Sequence, residues 1–125
     1  KSYKNVIERR REVAQMYQDR LGGLRELQLP PSPDSNLDYY DVYQNYELQA
    51  DKRDELKNHL GEKSIGTLIQ WGGLAVHQFK QLGFHQSLPK TEQFFERCLM
   101  LPMNIFISNN DVEYICEKIK EFYRI

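Results

Sequence analysis

Apolar positions recur with helical spacing at both ends of this chain and with near-alternation in between. In KSYKNVIERRREVAQMYQDRL the residues Val6, Val13, Tyr17 and Leu21 fall near one stripe, which predicts a helix from Tyr3 to Leu21. Ser2 is its weak cap, and Gly22-Gly23 ends it, glycine being the residue that accepts a left-handed helix end. RELQLP (25–30) reads as a short strand and PPSPDSNLD (30–38) as a loop. YYDVYQNYELQA (39–50) is rich in Tyr and Val and reads as a strand. Alternation puts Val42, Gln44, Tyr46 and Leu48 on one face and Tyr43, Asn45, Glu47 and Gln49 on the other.

Asp51 is a helix cap on this reading, ahead of Leu56 and Leu60 one turn apart, with the helix ending at Gly61 or turning on to Lys63. SIGTLIQW predicts a strand from Ile65 to Trp71, residues 74–84 a short helix ended near Gly83, and Pro89 opens another helix over KTEQFFERCL. LMLPM (99–103) is a short strand or extended piece. Ser108 and Asp111 have capping-box spacing, and Val112, Ile115, Ile119 and Phe122 follow at helical intervals. The order of elements implies one two-layer α/β (α+β) domain with a small antiparallel or mixed sheet of three or four strands, helices on one face and the other face free for a neighbour.

Composition narrows the function. The 125 residues carry 40% hydrophobic and 28% charged side chains, as expected of a single globular domain. A formal net charge of -1 argues against a general nucleic-acid binder. No run of 18 apolar residues crosses a membrane and no signal-peptide core opens the chain, so a cytoplasmic protein is expected. Two cysteines, Cys98 and Cys116, make neither a disulfide framework nor a four-ligand zinc site; both read as reduced, buried thiols on helices. The run Arg9-Arg10-Arg11, flanked by Glu8 and Glu12, reads as a solvated helix face. A helix beginning almost at residue 1 without Met suggests a piece of a longer chain.

The candidate chemistry gathers in TLIQWGGLAVHQF (67–79). The single tryptophan, Trp71, precedes Gly72-Gly73 between a predicted strand and a predicted helix. Glycines there let a ligand or another backbone approach closely, and the helix behind offers free N–H groups. A packed strand-to-helix corner explains the same residues. His77, His59 and His85 have no metal-ligand spacing, so no metal is expected. Ser64, Ser87 and Ser108 lack a nucleophile-elbow motif, and on residue chemistry alone the chain has no complete catalytic set.

Five segments, in order, resemble one family. ERRREVAQMYQDRL (8–21), VYQNYELQADKRDELKNHL (42–60), IGTLIQWGGLAVHQF (65–79), LPKTEQFFERCLMLPM (88–103) and DVEYICEKIKEFY (111–123) are similar to the C-terminal small domain of the DegT/StrS-type sugar aminotransferases, enzymes of fold type I that use pyridoxal phosphate. Gln70-Trp71 stands where many members have His-Tyr, and Leu74-Ala75-Val76 replaces a segment with proline, while His77 is kept.

The resemblance implies that residues 1–125 are one C-terminal small domain, without the large N-terminal domain that holds the cofactor and the lysine forming its Schiff base. It implies a parent that moves an amino group from an amino acid such as glutamate to a nucleotide-linked keto sugar, for cell-surface polysaccharide biosynthesis, as a cytoplasmic homodimer. No residue of this chain is assigned as catalytic, no cofactor is expected on it, and the piece alone is expected to be inactive. Gln70, Trp71 and His77 are implied substrate-binding residues, Trp71 by stacking and the other two by hydrogen bonds. A free-standing interaction domain of the same fold is the alternative, and a small metal-dependent hydrolase a third.

Overall fold

The computed structural model describes residues 3–33, 42–69 and 88–124. The first helix, α1, spans Tyr3–Leu21, as the apolar stripe predicts, and buries Val13, Ala14, Tyr17 and Leu21. Its end has a different cause from the one expected. Neither Gly22 nor Gly23 is left-handed; a Cβ on Gly22 would lie 2.7 Å from the Gln18 carbonyl oxygen, so glycine is needed there for space. The chain then enters β1 (Leu27–Gln28).

The second strand, β2, is shorter than its Tyr-rich sequence predicts and covers Tyr46–Ala50. Tyr43 has φ 52°, a left-handed conformation that breaks the alternation, so it is buried beside Tyr46 instead of lying on the opposite face. Its hydroxyl donates to the Pro31 carbonyl at 2.6 Å, tying the strand's approach to the start of the proline-rich segment.

Helix α2 (Arg53–Glu62) buries Leu56 and Leu60 as predicted. Asp51 does not cap it. The N-cap is Lys52, left-handed at φ 54° and without a side-chain cap bond, while Asp51 pairs with Arg97. The helix passes Gly61; the chain turns after it at Ser64, φ 67°. Helix α3 (Pro89–Arg97) opens on proline as expected but stops before Cys98, which begins β3 (Cys98–Leu101). Both cysteines are buried and in no disulfide, with Cys98 on a strand and not on a helix. Helix α4 (Asn109–Tyr123) carries the expected capping box: Asp111 N–H donates to Ser108 Oγ at 3.0 Å, and Ser108 N–H to Asp111 Oδ2 at 3.1 Å.

Among the described residues the sheet has the order β1-β2-β3, all antiparallel. The register pairs Leu27 with Ala50, Leu48 with Leu99, and Tyr46 with Leu101. These residues face one side, where they form a single core with the buried stripes of α1, α2 and α4. Glu47, Gln49, Cys98 and Met100 face the other side. The expected two-layer α/β architecture with a small antiparallel sheet is therefore present.

Long-range polar bonds fasten these layers. Arg53, on α2, is 9% exposed and donates to the carbonyls of Phe95 at 2.9 Å and Cys98 at 2.7 Å, capping the end of α3 where it turns into β3. Arg9 is held by the Ile107 carbonyl at 2.6 Å, and the Arg11 guanidinium lies 6.0 Å from the Tyr43 ring centroid. The arginine run is half-buried against the β3–α4 turn and Tyr43, not the solvated face its charge pattern suggests.

Burial pushes the Cys116 thiol up to about 12 and the phenols of Tyr17, Tyr46 and Tyr123 well above the usual range. Each group holds its proton more tightly folded than unfolded. The stabilisation is therefore complete below the ordinary thiol and phenol values of 9.0 and 10.0 and is lost as the pH rises through the folded ones. The urea midpoint should hold steady to about pH 9 and fall steeply above it, with Cys116 alkylated only on unfolding. Arg53→Met strands two carbonyls, and urea titration at pH 7 should show a loss of about 2–4 kcal/mol. Arg53→Lys should recover only part of it, because an ammonium lacks the separate Nε–H that bonds Asp54 while Nη1 serves both carbonyls.

Candidate functional site

Gln70, Trp71 and His77 lie outside the described residues, as do the expected helix at 74–84 and the glycine pair. The structure does define how the chain reaches Gln70. After α2, the Ile65 N–H donates to the Leu60 carbonyl at 2.9 Å, and Ile65 is buried. Leu68 then makes one antiparallel bridge with Met100, through bonds of 3.2 and 2.8 Å. The segment runs along the outer edge of β3 and, among the described residues, pairs with it only through this bridge; the end of the strand expected from Ile65 to Trp71 lies outside them.

The reason is local. The Thr67 carbonyl takes a 2.6 Å bond from Lys57 Nζ, which also lies 3.2 Å from Thr67 Oγ1. Gly66 beside it has no side chain to pack. Thr67 is buried at 8% exposure, so the lysine also satisfies polar atoms that would otherwise be costly to bury. Sequence reasoning missed both Lys57 and Arg53. The signal for Arg53 was its place in the Arg53-Asp54-x-Leu56 pattern; Lys57 shows none, because its partner is ten residues away on another element.

Two hollows adjoin this edge. The smaller, about 150 Å³, runs from Asn45 and Thr67 to Leu101 and Met103. The larger, about 620 Å³, lies between Lys63–Gly66 and the β3–α4 turn, with Phe106, Asp111 and Tyr114 in its wall. Gly66 and Pro102 line both. On the sheet's second face Glu47 is half-buried; burial raises its carboxyl above the ordinary value, and a hydrogen bond with the Cys98 side chain offsets part of this.

These groups do not make a catalytic set. Among the described residues no cluster of three His, Cys, Asp or Glu side chains could hold a metal, and no lysine is buried. A Schiff-base lysine for pyridoxal phosphate needs a desolvated amine, and the amine of Lys57 is occupied by Thr67. No described lysine is therefore placed to form that bond. No helix among them is long and apolar enough to cross a membrane.

Comparison with known proteins places this architecture. The model of the DegT/DnrJ/EryC1/StrS aminotransferase family matches residues 1–120. A "Pleiotropic regulatory protein" of Geobacillus stearothermophilus is 37% identical over 89 residues, covering 68% of this chain and 24% of its own length. The GDP-perosamine synthase of Escherichia coli O157:H7 is 32% identical over 126 aligned positions, covering 95% of this chain and 32% of its own. Among solved structures, S. venezuelae DesV in complex with a ketimine intermediate matches with a TM-score of 0.87 and 26% identity, over 98% of this chain and 33% of that one. The chain spans about a third or less of the length of the relatives it matches. With the family model covering residues 1–120 and the fold agreeing over 98% of the chain, the chain belongs to the DegT/DnrJ/EryC1/StrS aminotransferase family.

Proposed function

We propose that this chain is the C-terminal small domain of a pyridoxal-phosphate aminotransferase acting on a nucleotide-linked keto sugar. The observation that carries the reading is the family match over residues 1–120, together with a relative named for a GDP-linked sugar. The amino donor is an amino acid, with glutamate the first to test. The cofactor and its lysine belong to a large domain outside these residues, which is why the small domain alone is inactive. The active parent is a cytoplasmic homodimer.

Gln70, Trp71 and His77 meet the sugar nucleotide in this reading. The indole stacks on the sugar or base, and Gln70 and His77 bond to hydroxyls. Support comes from sequence position: they follow directly on the edge segment that Lys57 and the Leu68–Met100 bridge hold in place. One relative is named for regulation and not for catalysis, which keeps a second reading, an interaction domain of the same fold, worth the same test.

That test takes the full-length protein with pyridoxal phosphate. Glutamate should bleach the visible band of the bound cofactor; a band that never forms, or that glutamate leaves unchanged, removes the transaminase reading and favours the interaction domain. Trp71→Ala and His77→Ala should each raise KM for the sugar nucleotide about tenfold, the effect of losing roughly 1.4 kcal/mol of binding. Both should leave the cofactor band intact. Unchanged KM in both variants removes these residues from the site.

A further inference from the structure

The peptide between Thr67 and Leu68 is held from two sides. Leu68 N–H donates to the Met100 carbonyl at 3.2 Å. In a trans peptide the C=O and the following N–H point in opposite directions. The Thr67 carbonyl therefore points away from β3, and Lys57 of α2 meets it there, with Nζ at 2.6 Å and a second contact of 3.2 Å to Thr67 Oγ1. A strand grips this peptide plane by its N–H and a helix side chain grips it by its C=O. Rotation of the plane would break one bond or the other.

The neighbouring restraints on the segment are of another kind. The Ile65 N–H bond to the Leu60 carbonyl and the Leu68–Met100 pair run between main-chain groups, which any residue but proline supplies. The Lys57 bond needs a long cation at that one position of α2. Without it, a carbonyl on a residue only 8% exposed loses its partner and gains by turning towards water. Such a turn changes the direction in which the chain leaves β3. Gln70 follows Thr67 by three residues, so its Cα lies within about 11 Å of that of Thr67, and Trp71 comes next.

We infer that Lys57 is a positioning residue for the sugar nucleotide: by holding the Thr67 carbonyl it aims the chain that carries Gln70 and Trp71. It touches no substrate, because its ammonium is engaged by Thr67. The inference rests on the proposed assignment of Trp71 to the substrate site. Loss of such aim weakens the binding of substrate and transition state alike, which raises KM and spares kcat.

Steady-state kinetics of the full-length protein with its cofactor test this. Lys57→Met keeps the apolar stem and removes the donors at a half-buried helix position that methionine suits. It should raise KM for the sugar nucleotide about fivefold, change kcat by less than about twofold and leave the cofactor band intact. Lys57→Arg, which restores a cationic donor, should bring KM back to within about twofold of the parent. In the double variant with Trp71→Ala the two losses should fall well short of multiplying, because one acts through the other. Unchanged KM in Lys57→Met, a rise that Lys57→Arg does not reverse, or fully multiplying losses would overturn the inference. A lowered unfolding midpoint with unchanged KM is the mark of a purely structural clamp and overturns it too. The single variants separate the two readings. A raised KM in Trp71→Ala with none in Lys57→Met removes the role of Lys57 alone. Unchanged KM in Trp71→Ala removes Trp71 from the site, and the positioning role falls with it.

Discussion

Tyr17 ties the two layers of this domain together. Its ring is fully buried and stacks on Tyr46 of β2 with centroids 4.7 Å apart, while its hydroxyl donates to the Pro102 carbonyl at 2.7 Å. One side chain of α1 therefore touches the central strand and fixes the end of β3. An offset aromatic pair contributes about 0.5–1.5 kcal/mol beyond its buried area, and the phenol finds the polar partner that burial demands. The placement of α1 against α4, the exit of β3 and the position of the Phe106 turn all depend on this contact.

Around it the fold uses cations as carbonyl clamps. Arg9, Arg53 and Lys57 each donate to main-chain oxygens of a different element: the β3–α4 turn, the α3–β3 junction and the edge segment before Gln70. At each of these points the chain leaves regular structure, so carbonyls lack a ladder or helix partner and need one from a side chain. The result is a small sheet whose irregular edge is held as firmly as its strands. That edge leads to the residues proposed to meet substrate.

The division of work follows from size. Among the described residues, a sheet of three short strands packs one face against α1, α2 and α4 in a single core. Glu47 on the sheet's second face, with a carboxyl raised by burial, and the mixed polar and apolar depression beside β3 present different chemistry on different sides.

Much of the fold was legible from local pattern. Helix α1, the α4 capping box, the proline start of α3 and the buried pair Leu56 and Leu60 follow from spacing and caps, because those bonds close within a few residues. The family was legible too, since ordered short motifs survive in sequence. The candidate site was readable only as a position, Gln70, Trp71 and His77, and the clamps that lead to it were not. Tertiary structure alone decided that Tyr43 turns left-handed into the core, that Asp51 pairs with Arg97 instead of capping α2, and that the 65–69 segment makes a single bridge. It also decided that Arg53 serves carbonyls 42 and 45 residues away. The physical reason is the same in each case: the partner that satisfies the group is set by three-dimensional packing and leaves no periodic trace along the chain.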